Sequence, residues 1–302
     1  MKLLKYFNIP DLILLAVVLL ALKLGYLDRQ TGLVQALGTG KYLLFSLAIL
    51  LVMAGGFFAN NVFGNGRDYD VDLNEAKSYN IYAALNVIGI GTIYYLANSL
   101  NKPMLLTGFF MIVAAVMYLY ATGIKQIIVL SNVLFALWVA FPVVAVGLFQ
   151  LYPLIGIVDG ETNVMIRTIF SIFTDFSIFA FATGLVLSFV NDLAYSDADY
   201  NSGANTLPIA IGRERAAKIT MALTIIPLIM LVYYTDKYLT NLIYALGYSL
   251  VFVGGLLLFV MLRLFQAKAQ KDFVQIAGLL KLVLLFALVS LIVISFNIQH
   301  VK

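Results

Sequence analysis

The stretch from Asn191 to Gly212, NDLAYSDADYNSGANTLPIAIG, places three carboxylates directly after a long hydrophobic run: Asp192, Asp197 and Asp199. Carboxylates at a membrane surface are typical ligands of a hard cation such as Mg²⁺, which keeps several waters and shares its oxygens with a phosphate. If a helix continues through Asp199, then Asp192 and Asp199 lie on one face, about 10 Å apart along its axis, and Asp197 points elsewhere. The alternative is a solvated loop that only joins two membrane spans.

The composition around this stretch is that of an integral membrane protein. Hydrophobic residues make up 63% of the 302 residues and charged residues only 11%, against about 45–50% and 25% in soluble domains. The apolar runs are too long for core strands, so the spans are predicted to be helices rather than a barrel. The basic residues are scattered singly, which argues against a nucleic-acid partner, and the absence of cysteine excludes thiol chemistry.

The hydropathy pattern predicts an all-α protein with nine transmembrane helices and no linker between them, that is, one domain over residues 1–302. The predicted spans cover residues 10–27, 41–63, 78–99, 103–121, 127–151, 163–190, 216–235, 241–265 and 272–298. The start of the chain superficially resembles a signal peptide, but it lacks a clean small-residue cleavage site. A retained first span is therefore the better interpretation.

The distribution of Lys and Arg predicts the orientation of these spans, because cytoplasmic loops carry an excess of basic residues. The N-terminus and the loops after spans two, four, six and eight carry most of them: Lys2, Lys5, Arg67, Lys77, Lys125, Arg213, Arg215, Lys218, Arg263, Lys268 and Lys271. This bias places the N-terminus in the cytoplasm and, with an odd number of spans, the C-terminus outside.

Acidic residues concentrate in two loops on this predicted cytoplasmic side. Asp68, Asp70, Asp72 and Glu75 follow span two, and the three Asp of the opening stretch follow span six. Two acidic loops that face each other repel unless cations lie between them. We therefore expect both loops to share a divalent metal site at one membrane mouth.

These features resemble the UbiA superfamily of intramembrane prenyltransferases, and within it bacterial members identified as geranylgeranylglycerol-phosphate geranylgeranyltransferases. The most specific likeness covers Asp192–Asp199 and Gly203–Pro208, which are similar to the family's second motif, in which acids precede a G-x-x-T-L-P turn. Tyr195 stands where the family commonly has another Asp. Tyr120–Lys125 resembles the family's fourth loop, whose Lys contacts a pyrophosphate.

The family's first motif, Asn-Asp-x-x-Asp-x-x-x-Asp, is only partly matched. In an alignment on Ala54-Gly55-Gly56, Asn60 and Asp68 match, whereas Asn61 and Gly64 replace acids. A shifted alignment restores a D-x-x-x-D pair with Asp68 and Asp72 but loses the leading Asn. Both alignments are kept here as alternatives.

The resemblance implies a prenyl diphosphate, such as geranylgeranyl diphosphate, held in the membrane beside a lipid-phosphate or aromatic acceptor, with Mg²⁺ as cofactor. The expected catalytic residues are Asp68, Asp192 and Asp199. The expected substrate-binding residues are Asn60, Arg67, Tyr120 and Lys125. The expected Mg²⁺ ligands are Asp68, Asp72, Asp192, Asp197 and Asp199.

Two other functions fit the sequence. A catalytically impaired relative that binds an isoprenoid or lipid is favoured by Asn61, Gly64 and Tyr195. A small-molecule transporter would use Asp175, because an intramembrane carboxylate is a functional candidate by default. The structural alternative for Asp175 is a contact with a Ser, Thr or Tyr, or a pair with Lys281.

Overall fold

The computed structural model describes residues 3–63, 74–124, 127–158, 160–201 and 203–300. Within these ranges the chain is helical and has no β-strand. The α-helices are α1 (Ile9–Leu20), α2 (Thr39–Val62), α3 (Glu75–Ser99), α4 (Pro103–Thr122), α5 (Leu130–Gln150), α6 (Gly160–Asn201), α7 (Leu207–Ile211), α8 (Arg213–Leu223), α9 (Ile225–Leu239), α10 (Ile243–Tyr248), α11 (Gly255–Gln266) and α12 (Gln270–His300).

Nine helical stretches in the described part of the chain are long and apolar enough to cross a membrane, as the hydropathy pattern predicted. They are Ile9–Arg29, Thr39–Val62, Glu75–Ser99, Pro103–Thr122, Leu130–Leu154, Gly160–Asn201, Arg213–Leu239, Ile243–Gln266 and Gln270–Gln299. The all-helical prediction is therefore confirmed. The largest difference concerns the sixth span, which was expected to end at residue 190 and continues as α6 for 11 residues more.

The chain forms two compact units. Unit 1 comprises residues 1–19, 32–127 and 144–171, and unit 2 comprises residues 20–31, 128–143 and 172–302. Helices α5 and α6 each contribute to both units. The expectation of a single domain over residues 1–302 stays a prediction.

Unit 1 holds α2, α3 and α4 together through aromatic rings and small residues. The rings of Phe45 and Phe149 lie 4.6 Å apart between centroids, and both contact Phe110. Where α2 meets α3, Gly89 leaves room for Val52, because a Cβ on Gly89 would lie 2.8 Å from the Val52 Cγ2 atom. Small residues at such contacts allow membrane helices to approach closely, which favours their association through van der Waals packing.

Replacing Gly89 with Ala is therefore expected to destabilise unit 1. The new methyl group would also lie 3.2 Å from the backbone oxygen of Ala48, which cannot rotate away. Overpacking of this kind costs about 1–3 kcal/mol, so the melting temperature in detergent should fall. Gly91 lies two residues along the same helix and has open space around it, so Gly91→Ala is the matched control and should not lower the melting temperature. Equal melting temperatures for the two variants would contradict this packing.

Unit 2 has a continuous apolar core formed by α6, α8, α9, α11 and α12. Fully buried side chains from these helices meet there, including Val190, Leu193, Leu257, Phe273 and Leu280. Along α6 this core extends to Leu193 and Ala194. The core therefore packs against α6 next to Asp192, before the helix ends at Asn201.

Candidate active site

The opening stretch of the sequence is helical through Asp199, because α6 ends only at Asn201. Asp192 and Asp199 are seven residues apart, so they share one face of the helix. Asp192 is half-buried, and Asp199 is only 2% exposed. Burying a carboxylate is costly unless polar or cationic partners offset the lost hydration. The two carboxylates of the predicted metal site therefore lie on the same face of α6.

The G-x-x-T-L-P turn ends α6 and begins the next helix. Gly203 has a φ of +72°, its N–H donates to the carbonyl of Tyr200, and the N–H of Ala204 donates to the carbonyl of Asp199. This pair of hydrogen bonds is the Schellman arrangement, in which a left-handed residue after the helix caps its last carbonyls. Thr206 then forms the N-cap of α7, with a proline in its first turn. The motif thus fixes where the helix that carries Asp199 stops.

Asp197 lies on a different face and is bound to a cation of this chain. Its side chain is 79% exposed, and its Oδ1 accepts a hydrogen bond from the Arg213 guanidinium at 2.9 Å. Arg213 also donates to the buried hydroxyl of Ser196 through Nε at 3.0 Å. The first residue of α8 is therefore tied back to the last turns of α6. The expectation that Asp197 binds Mg²⁺ stays a prediction, and a metal there would compete with Arg213.

Asp192 has a buried amide partner that the sequence analysis did not single out. The Nδ2 atom of Asn132, near the start of α5, donates to the Asp192 Oδ2 atom at 2.7 Å and to the Ser188 hydroxyl at 2.9 Å. All three residues belong to unit 2. The sequence did contain a sign of this contact, because Asn132 is a polar residue inside the apolar run of α5. A buried polar group in a membrane needs a hydrogen-bond partner.

In unit 1, the two Asn residues of the first motif have different surroundings. The side-chain oxygen of Asn60 is buried and has no hydrogen-bond partner among the described residues. An unpartnered buried oxygen can accept a hydrogen bond or contact a cation, and the binding role of Asn60 stays a prediction. The Asn61 amide instead donates to the backbone carbonyl of Tyr6 at 2.9 Å. Asn61 thus fastens the N-terminal segment to α2, at a position where the family has an acid.

Tyr120, the remaining predicted substrate-binding residue that the structure describes, is half-buried near the end of α4. Close to it in sequence, the Tyr118 ring packs on Tyr82, with 5.5 Å between centroids, and against Phe63. Phe63 also stacks on Tyr79 at 4.8 Å. The end of α2 that carries Asn60 is therefore lined by aromatic rings, and such rings stabilise a nearby cation.

Four predicted site residues lie outside the described residues: Arg67, Asp68, Asp72 and Lys125. The predicted meeting of the two acidic loops stays a prediction for the same reason. Among the described residues, no group of three or more His, Cys, Asp or Glu is arranged to hold a metal ion. Mg²⁺ does not require one, because it usually binds one or two carboxylates together with waters and substrate phosphates. A Mg²⁺ site that includes Asp192 and Asp199 stays a prediction.

Asp175, the candidate coupling residue of a transporter, has two hydrogen-bond partners within unit 2. Lys237 donates to its Oδ2 atom at 2.8 Å and the Tyr238 hydroxyl donates to the same atom at 2.6 Å. The expected tyrosine contact is thus present. The cation in the ion pair is Lys237, near the end of α9. A carboxylate with a cation and a hydroxyl as partners is compensated within the protein, so a transport role is not needed to explain it.

Neither a protein-family model nor a curated protein sequence matches the chain. A solved structure described as a digeranylgeranylglyceryl phosphate synthase in membranes is similar to it, with a TM-score of 0.68. The likeness covers 97% of each chain at 15% sequence identity. It shows that this chain shares the fold of that membrane protein, in line with the all-helical fold expected from the resemblance at Asp192 and Asp199.

Proposed function

We propose that the protein is an intramembrane prenyltransferase that moves a polyprenyl group from its diphosphate to a lipid-phosphate or aromatic acceptor with Mg²⁺. The observation that carries the proposal is the placement of Asp192 and Asp199 on one face at the end of α6, in a fold shared with a digeranylgeranylglyceryl phosphate synthase. Composition alone would fit many membrane proteins. The spacing of these acids and the turn that follows them are specific.

The reaction would break the allylic C–O bond of the prenyl diphosphate, and the bond's electron pair would leave on pyrophosphate. When bound, Mg²⁺ neutralises the charge that grows on this leaving group. Asp192 and Asp199 would hold the cation, and Arg67 and Lys125 would share the pyrophosphate charge. An oxygen of the acceptor would form the new C–O bond and release its proton to water. The single His of the chain, His300, lies in the last turn of α12 and has no assigned part in this transfer.

The prenyl tail and the cationic carbon need an apolar, electron-rich environment. The Phe63, Tyr82 and Tyr118 rings supply such surfaces in unit 1 beside the Asn60 end of α2. Aromatic faces stabilise a cation most strongly where water is excluded. We propose that these rings contact the prenyl group.

A catalytically impaired relative that binds an isoprenoid is the second candidate function. The hydrogen bond from Asn61 to the Tyr6 carbonyl favours it, because a motif position that is acidic in the family is used here to fasten the N-terminal segment. Tyr195 also favours this second candidate. It is exposed, and it places a phenol where the family commonly has an Asp. Both features weaken metal binding relative to a complete set of acids.

Turnover distinguishes the two candidates. The purified protein would be incubated with labelled geranylgeranyl diphosphate, Mg²⁺ and a panel of lipid-phosphate and aromatic acceptors, and pyrophosphate release would be measured. A transferase releases pyrophosphate and labels one acceptor, and both signals disappear when the metal is chelated. Binding of the diphosphate without any release would identify the impaired relative.

We further propose that the protein is integral to the bacterial inner membrane, with the N-terminus in the cytoplasm and the C-terminus outside. The basis is the excess of Lys and Arg in alternate loops. Reporter fusions after Lys125 and Lys271 should read cytoplasmic, and a fusion at Lys302 should read external. A cytoplasmic signal from the fusion at Lys302 would contradict this orientation.

A further inference from the structure

Asn132 is a buried amide with an unusual set of partners. It is the third residue of α5 and only 1% exposed. Its Nδ2 atom carries two hydrogens and has two acceptors, the Ser188 hydroxyl and the Asp192 carboxylate. The acceptors are four residues apart, which is about one turn of α6. One amide thus spans a full turn of the helix that carries the acidic face.

The nitrogen and the oxygen of the Asn132 amide differ in their hydrogen bonding. The Asn132 Oδ1 atom is buried and has no hydrogen-bond partner among the described residues. An unsatisfied buried acceptor destabilises a protein by about 1–3 kcal/mol. A Leu of similar size would avoid that cost in an apolar helix. The favourable contacts of the Asn132 side chain are therefore the hydrogen bonds that its Nδ2 atom donates, one of which goes to Asp192.

The contact with Asp192 has the features of a strong hydrogen bond. Its length of 2.7 Å lies in the range typical of a bond to an ionised acceptor. It uses one carboxylate oxygen, Oδ2, and restricts rotation of the side chain. A carboxylate oriented in this way loses less conformational freedom when it binds a cation.

We propose that Asn132 is a positioning residue for Asp192: its hydrogen bond to Oδ2 sets the orientation in which the carboxylate binds the divalent cation. This inference rests on the proposed function. Asn132 acts through Asp192 and need not touch the substrate. Ser188 accepts a hydrogen bond from the same amide but contributes less to the orientation of Asp192, because losing the Ser188 hydroxyl leaves the Asn132–Asp192 bond in place.

The test measures binding of Mn²⁺, a paramagnetic substitute for Mg²⁺, by electron paramagnetic resonance of the purified full-length protein saturated with a non-ionising analogue of geranylgeranyl diphosphate, which supplies the phosphate ligands of the cation. Asn132→Leu and Asn132→Ala both remove the donors, one with bulk retained and one without. Removing a hydrogen-bond partner of a metal ligand typically weakens metal affinity by about 10–100-fold, and we expect a loss in this range for both variants. Ser188→Ala should change the affinity by less than about threefold, since the bond to Asp192 remains.

Thr183→Val is the matched control. Like Asn132, Thr183 is a fully buried polar residue, but it lies on α6 and its hydroxyl has no hydrogen-bond partner among the described residues. It should bind Mn²⁺ as the wild type does. Asp192→Asn calibrates the assay and should lose most binding. If Asp192→Asn loses Mn²⁺ while both Asn132 variants keep the wild-type affinity, the positioning role is wrong and the proposed function stands. If the wild type binds no Mn²⁺, the metal-dependent function fails and the inference fails with it.

Discussion

Replacing Asp199 with Ala is expected to reduce Mg²⁺-dependent prenyl transfer by about a hundredfold or more, because a group that neutralises charge in the transition state is lost. Asp192→Ala should have a similar effect. The two residues share the acidic face of α6, and Asp199 is almost completely buried. A metal contact that stabilises the leaving pyrophosphate acts mainly on the rate of the chemical step. The measurement is kcat for pyrophosphate release at saturating Mg²⁺ and prenyl diphosphate.

Two other acidic positions serve as comparisons for this loss. Glu214 is exposed and paired with Lys218 on the surface of α8, so Glu214→Gln should leave kcat unchanged. Asp197→Asn tests the remaining predicted ligand of this stretch. Because Asp197 is exposed and bound to Arg213, we expect a smaller loss than for Asp199→Ala. Equal kcat values for Asp199→Ala and wild type, with both proteins folded in detergent, would contradict the account.

The second large effect is expected at Asp68, the one acid of the first motif that both alignments retain. Asp68→Ala should also lose about a hundredfold in Mg²⁺-dependent turnover, because it removes a contact to the cation from the second loop. Asn61 and Gly64 offer no carboxylate in its place. The assay is the same kcat measurement, with a melting curve in detergent to show that the variant is folded.

Gly64→Asp distinguishes the two alignments of this motif. If Asn60 and Asp68 are the matching residues, a carboxylate at position 64 restores a missing acid and should lower the Mg²⁺ concentration needed for half-maximal rate. If the pair is Asp68 and Asp72, the same change should give no gain. An unchanged kcat in Asp68→Ala would remove the second loop from the metal site under either alignment.

The parts of the fold that depend on local chemistry could be predicted from the sequence. Nine apolar runs gave nine spans, because a bilayer demands long hydrophobic helices with every backbone group paired. The turn after α6 was equally predictable in outline. Gly203 ends a helix because it adopts a positive φ, and the Thr-Leu-Pro sequence begins the next one.

The extent of α6 was harder to predict, because its last two turns are polar. A hydropathy criterion ends the span near residue 190, where the carboxylates begin. The helix continues because its apolar face, with Leu193 and Ala194, stays packed in the core of unit 2. Tertiary packing thus carries the helix past the first carboxylate, and the turn at Gly203 ends it.

Contacts between residues distant in the chain could not be predicted from spacing. The Asn132–Asp192 bond joins residues 60 positions apart, and Asn61–Tyr6 joins residues 55 apart. Nothing in the local pattern of α5 shows which residue of α6 it faces. The sequence therefore predicted Asp192 as a ligand without indicating that the Asn132 amide donates to it.

The most direct test of the central claim is the binding of a non-ionising analogue of geranylgeranyl diphosphate to wild type and to Asp199→Ala, with and without Mg²⁺. Such an analogue keeps the pyrophosphate but cannot complete the transfer, so it reports the metal-bridged contact alone. The account predicts that Mg²⁺ strengthens binding to the wild type and has little effect on the variant. Binding that is equal in the two proteins and insensitive to Mg²⁺ would contradict it.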